Sequence, residues 1–248
     1  MDRRETFLKD QIIKYCSRMD QMGFVANHDG NISVKFDQQL LSTPTAEAKF
    51  NITGDMILTL SPSGKKLKGA GKPFSEIALH VACYNARDEI NAVIHAHPTY
   101  ASARGLVGKD FTPSLPEAIV SLGDRIPVTP FAMPGDAQNE LIIHQTLSKV
   151  DAFMMKGNGV IAVGKTLEEA YLRLELVEHL IKMDFVAQKM GISYSLKQSD
   201  INQLLEKRAK AGLGPQNYSS SLPPAPDQEN KQVIKDIIRE EIKRALTD

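Results

Sequence analysis

The segment from Pro73 to Ala101, PFSEIALHVACYNARDEINAVIHAHPTYA, constrains this chain more than any other. A helix is predicted to start around Ser75-Glu76 and to run to about Arg87, and it leads into a strand at 91–97. Pro98 ends that strand, because proline has no N–H to give to a ladder. Successive strand side chains point to opposite faces, so His95 and His97 project together, about 7 Å apart at Cα. Two imidazoles at that spacing can hold one transition-metal ion. Glu76 adds a carboxylate that can ligate or move a proton. The pair lies at a strand end, where α/β sheets place their ligands. The plainer alternative is two hydrogen-bonded histidines and a first-turn glutamate favoured by the helix dipole.

The rest of the chain alternates helices with short strands. Phe7, Ile12, Ile13, Cys16 and Met19 recur at helical spacing over 4–22, and Gly23 ends that helix. Turn residues His28-Asp29-Gly30-Asn31 precede a strand at 32–36, and Leu40-Leu41 opens another. A strand at 56–60 turns at Pro62–Lys65 into a return strand through Leu67. A short helix is expected at 99–107. Pro116–Val120 is read as running on into a short strand at Ile126–Val128. A helix over 137–149 carries Leu141, Ile142, Leu147 and Val150 on its apolar side. Ala152–Met155 and Val160–Val163 are strands joined by the tight turn Gly157-Asn158-Gly159. Thr166 caps a long helix to about Met190, with Glu169 in the capping-box position. Irregular alternation with several hairpins predicts a mixed α/β fold of α+β type, built on a largely antiparallel sheet.

Residues 211–228 are rich in Gly, Pro and Ser and read as a flexible linker after a domain spanning 1–210. Residues 229–248 read as a C-terminal amphipathic helix, with Ile234, Ile238, Ile242 and Leu246 on one stripe. Such a helix must bury its stripe elsewhere, on its own subunit, on a neighbour or on a docking partner. The formal net charge of zero gives no field for nucleic acid. No apolar run approaches the ~18 residues of a membrane span. The charged N-terminus is unlike a secretory signal, and two cysteines do not make a disulfide framework, so a reducing cytoplasm is expected.

Five segments in order carry a resemblance. They are Gly30-Asn31-Ile32-Ser33, Thr43-Pro44-Thr45, Pro73-Phe74-Ser75-Glu76, His95-Ala96-His97-Pro98, and Gly157-Asn158-Gly159-Val160 followed by the Thr166 helix. Over roughly residues 5–190 the chain resembles the class II aldolase/adducin family, which contains the fuculose-phosphate and ribulose-phosphate aldolases. The resemblance implies a three-layer fold with a central, mainly antiparallel sheet flanked by helices. It also implies a homotetramer acting on a small sugar phosphate or sugar-acid derivative. The implied chemistry is metal-dependent: Zn²⁺, or Mn²⁺ or Fe²⁺, stabilises the enediolate left by carbon–carbon cleavage. His95 and His97 then hold the ion, Glu76 is the acid/base, and Asn31, Thr45 and Ser75 bind phosphate.

Several positions depart from the family pattern. Asn158 stands where the third metal-binding histidine is usual, and an amide oxygen is a poorer zinc ligand than imidazole. Asn158 could ligate through oxygen, Glu76 could become the third ligand, or the metal could be lost. His28 and His144 are candidate substitutes. Ala46 replaces a common Gly and Phe74 a common Ser, so a non-phosphorylated substrate stays open, with Lys49 as a compensating charge. Phe131 falls where many aldolases carry a proton-donating Tyr, and Glu117 is a candidate replacement. A decarboxylase or dehydratase on the same site, and a catalytically inactive adducin-like binding protein, are the alternative readings.

Overall fold

The computed structural model describes residues 2–131, 137–191 and 194–215. Eight strands form one sheet: β1 (Asn31–Phe36), β2 (Gln39–Ser42), β3 (Leu58–Leu60), β4 (Lys66–Lys68), β5 (Ala92–Ala96), β6 (Val128–Thr129), β7 (Ala152–Met155) and β8 (Val160–Gly164). Their spatial order is β4-β3-β2-β1-β5-β8-β7-β6. Every pairing is antiparallel except β6 with β7. Tight connections fix the hairpins, such as the turn before β4, closed by Gly64 N–H donating to Ser61 O at 2.9 Å. The mixed α/β, mainly antiparallel expectation therefore holds.

Helices cover both faces. α1 (Arg3–Gln21), α3 (Thr99–Val107) and α6 (Leu167–Met190) pack on one, and α2 (Ile77–Ala86) and α5 (Ala137–Leu147) on the other. Alternation along β5 divides the core. Ala92, Ile94 and Ala96 face α1 and α6, whereas Val93 joins the cluster under α2 and α5. His95, in phase with Val93, thus faces α2. The long α6 starts as expected, with Thr166 Oγ1 accepting from Glu169 N–H at 3.2 Å. Its Glu169 reaches back to Lys165 N–H, one residue before the usual capping-box partner.

Three readings are corrected. Pro116–Leu122 forms a helix, α4, rather than extended chain. Proline in its first turn lacks only an N–H that no helix would use there, and Glu117 complements the helix dipole. The following strand shrinks to Val128–Thr129, with Ile126 bridging to Phe111. On α5, Leu141 is exposed, and Ile143 with Leu147 and Val150 forms the buried side. A further helix, α7 (Gln198–Lys210), packs on α4 and carries the fully buried Arg208. Most of the expected linker, from 216 onward, and the C-terminal helix lie outside the described residues. Among the described residues no helix is long and apolar enough to cross a membrane.

Candidate functional site

The C-terminal end of β5 carries the histidines. His95 is fully buried opposite Asn31 of β1. Its Nδ1 lies 3.0 Å from Val160 O. A carbonyl oxygen only accepts, so Nδ1 carries the proton and Nε2 keeps its lone pair. Burial, opposed by Glu76, keeps the His95 pKa below the ordinary imidazole value, so the ring is neutral at pH 7. His97 follows just past the strand, tied by its N–H to Phe24 O at 2.9 Å. The two Nε2 atoms stand 3.0 Å apart. Gly159 makes this approach possible: a Cβ there would collide with Ala96 O and lie 3.0 Å from the His97 ring.

Glu76 occupies the N-cap position of α2 and turns its carboxylate toward His95. Its Oε1 accepts from Asn158 Nδ2 at 2.6 Å and its Oε2 from Asn31 Nδ2 at 3.2 Å. Oε2 is also 3.4 Å from His95 Nε2. Burial alone would raise the carboxyl's pKa. His95, the two amide hydrogen bonds and His97 together outweigh burial and hold it below the ordinary glutamate value. Glu76 is therefore an ionised, partly buried carboxylate.

Four of the expected residues, Glu76, His95, His97 and Asn158, are brought together, with Asn31 as a contact of Glu76. Thr45 and Ser75 are both exposed, on loops that the Pro44–Pro73 bridge joins, and Thr45 N–H bonds to Lys72 O. Phe74 is buried with its ring against His80, 4.9 Å between centroids. Ala46 takes a left-handed backbone, φ 61°. Lys49 is spent: its buried Nζ donates to the carbonyls of Glu47 at 2.8 Å and His28 at 3.1 Å, stapling two loops. The candidate substitutes lie elsewhere. His28 is exposed, His144 faces Glu140 on α5 at 3.9 Å, and Glu117 is exposed on α4. The sequence reading missed His80, Ser33 and Tyr84, which form a buried cluster behind Glu76. The signal was there: Glu76, His80 and Tyr84 recur every four residues on one face of α2.

The donor set fits a metal ion in part. Two nitrogens on one tetrahedral ion at ~2.0–2.1 Å stand about 3.3–3.4 Å apart, near the separation here. Among the described residues no three His, Cys, Asp or Glu side chains converge as a complete site. Asn158 donates its amide N–H₂ to Glu76 at 2.6 Å. The chain thus offers two imidazoles with a carboxylate beside them.

A mainly antiparallel sheet between two helix layers, with a histidine pair and a neighbouring carboxylate at a strand end, agrees with the family that sequence comparison identifies. The sequence profile described as "Class II Aldolase and Adducin N-terminal domain" matches residues 10–185, and the chain belongs to that family. It is 30% identical over 200 residues to a 3-oxo-tetronate 4-phosphate decarboxylase of Pectobacterium atrosepticum, covering 78% of this chain and 90% of the relative. It is 29% identical over 176 residues to an L-fuculose phosphate aldolase of Methanococcus vannielii, covering 71% and 94%. A solved L-fuculose 1-phosphate aldolase superposes with a TM-score of 0.74 at 26% identity, covering 81% of this chain and 95% of that one.

Proposed function

We propose that this protein is a metal-dependent lyase that cleaves a carbon–carbon bond in a small sugar phosphate or sugar-acid derivative. The reading rests on one observation above all: an ionised Glu76 held 3.4 Å from the bare Nε2 of His95, with His97 Nε2 converging on the same point. His95 and His97 would hold a divalent ion, Zn²⁺ or else Mn²⁺ or Fe²⁺. When bound, that ion supplies Lewis acidity for the charge left as the bond breaks. Glu76, kept ionised by its amide partners, exchanges the proton at the reacting carbon. Asn31 and Asn158 orient its two oxygens. Thr45 and Ser75, exposed on neighbouring loops, present hydroxyls to a phosphate. The homotetramer, the cytoplasmic setting, the division at residue 210 and a docking role for the C-terminal helix belong to the same proposal.

A second reading, decarboxylation on the same site, is favoured by Phe131. An aldolase must exchange a proton with the aldehyde oxygen, and a phenyl ring has none to give. Loss of CO₂ needs no such partner. The similarity to the tetronate decarboxylase points the same way.

The test offers the Zn²⁺-, Mn²⁺- or Fe²⁺-loaded protein L-fuculose 1-phosphate and 3-oxo-tetronate 4-phosphate, following aldehyde and CO₂ release. Turnover of one is expected, reduced about 10²–10⁴-fold in Glu76→Gln. Absence of turnover with both would overturn the lyase reading.

A further inference from the structure

Glu76 stands where the backbone holds it least. It is the N-cap of α2, and no side chain caps that helix start. The first N–H groups of a helix have no α-helical partner within it. Here Ile77 N–H reaches back to Phe74 O at 3.3 Å and Leu79 N–H closes a tight turn on Glu76 O at 2.9 Å, so the first turn is held only by local bonds. Yet proton exchange requires the carboxylate to stay within hydrogen-bond reach of the reacting atom. Something one turn further on must fix the helix.

That anchor is visible. α2 lies along β1, and their repeats match. Four helix residues rise about 6 Å, and two strand residues rise about 6.6 Å. Alternate residues of β1 therefore meet every fourth residue of α2 as rungs. Asn31 meets Glu76 at 3.2 Å, and Ser33 meets His80 at 2.7 Å. Ser33 Oγ also bonds the Tyr84 hydroxyl at 2.8 Å, and Lys35 Nζ lies 5.2 Å from the Tyr84 ring centroid. The second rung is the strong one: Ser33 and His80 are both fully buried, and the Phe74 ring closes over the imidazole. His80 Nδ1 is used by Ser33, while His80 Nε2 is buried without a hydrogen-bond partner among the described residues. Asn31 Oδ1, on the rung beside it, is in the same condition. Buried polar atoms left open cost stability and call for an explanation beyond packing.

We propose that His80, bolted to β1 through the Ser33 hydroxyl one helical turn behind Glu76, is a positioning residue that sets where the Glu76 carboxylate stands relative to His95. The proposal rests on the lyase reading, in which Glu76 moves the proton. His80 touches Glu76 only through the helix, so its effect is on geometry. Carboxylate placement governs the chemical step, while Thr45 is held on a separate loop by its N–H bond to Lys72 O.

The test compares wild type with Ser33→Ala, Ser33→Thr, His80→Phe and the double variant Ser33→Ala/His80→Phe. Each is assayed on L-fuculose 1-phosphate and 3-oxo-tetronate 4-phosphate, titrated with Co²⁺ by visible absorbance, and melted. Ser33→Ala and His80→Phe are expected to lower kcat about 10–100-fold, the cost of a displacement near 1 Å. KM should change less than kcat, and Co²⁺ binding and cooperative melting should be retained. Ser33→Thr should recover kcat, and the double variant should be no slower than the worse single one. Unchanged kcat in folded Ser33→Ala would overturn the proposal, as would a rise in KM alone or a loss that tracks only melting. Ser33→Ala removes one oxygen, so it remains informative even if His80→Phe does not fold. A wild type that turns over neither compound would instead fail the lyase reading and the positioning role with it.

Discussion

Two buried polar clusters lie at opposite ends of the central strands, and they are built on different terms. At the start of β7, Asp151 is almost fully buried and meets three arginines: Arg87 at 2.6 Å, Arg208 at 2.9 Å and Arg173 at 3.2 Å. Arg87 also reaches Glu89 and the Leu147 carbonyl, Arg173 reaches Glu169 and the Val163 carbonyl, and Arg208 reaches the Val120 and Ser121 carbonyls of α4. Charges are matched, and donors are spread over backbone oxygens from several elements. At the far end of β5 and β8, Glu76 is shared between two amides and a neutral imidazole, and Asn31 Oδ1 and His80 Nε2 are left open. The first cluster ties elements together. The second leaves two polar atoms open beside an ionised carboxylate. Arg87 Nε at the first end also lacks a hydrogen bond, so neither polar burial nor incomplete pairing alone marks a functional site. What sets the second end apart is an ionised carboxylate beside imidazole nitrogens with no cation among the described residues to match it.

Breaking the first cluster should have the largest effect on stability. Asp151→Asn keeps the shape but leaves three arginines with too little negative charge, and removal of one partner from a buried ionic group costs about 3–5 kcal/mol. Urea denaturation should report that loss, while the rate per folded molecule stays at the wild-type value. A stable Asp151→Asn protein with impaired turnover would reverse the roles assigned to the two ends.

The second cluster responds differently, because its variable member is Asn158. Asn158→His would offer a third imidazole from the turn that now clamps Glu76. Zn²⁺ affinity should rise by about 10–100-fold, the scale on which metal-site partners act. Isothermal titration of metal-free protein measures it. The same change removes the 2.6 Å hydrogen bond to Glu76, so turnover should fall even as the metal is held more tightly. Equal Zn²⁺ affinity in both proteins would mean that the turn does not face the histidine pair.

The two ends also differ in how far the sequence disclosed them. The site end was legible because its parts are local patterns: an H-x-H before a proline, a carboxylate at a helix start, a Gly-Asn-Gly turn between two apolar runs. The limits of α3 and the Gly157–Gly159 turn follow from the same short-range rules. The arginine end was not legible, because Asp151 and Arg208 are 57 residues apart and nothing local announces their pairing. The same holds for Glu178, which bonds the Tyr100 and Ala101 N–H groups at the start of α3 from another helix. Lys49 shows how local reading errs. Its charge, near the expected phosphate loops, looked available for a ligand, and folding commits it to two backbone carbonyls. Pro116 misled in the opposite sense, since proline opens a helix as readily as it ends a strand.

Ala46 sharpens the comparison at the smallest scale. It follows Thr45 at the edge of the site with φ 61°, in the left-handed region, where a Cβ costs about 1–2 kcal/mol. No left-handed residue occurs at Asp151 or its arginines, and Ala46 lacks the polar side chain that eases this conformation for Asn27 and Asp37. Glycine would remove the Cβ penalty but lose about 0.5–1 kcal/mol to the freedom of the unfolded chain. Ala46→Gly should therefore stabilise the protein by a net ~0.5–1 kcal/mol, raising the melting temperature by about 1–4 °C. If Ala46 holds the Thr45 loop in the shape its ligand needs, KM for a phosphorylated substrate should rise as the loop loosens, with kcat intact. A variant that gains stability and keeps its KM would show that the strain at Ala46 serves the loop's path and not its ligand.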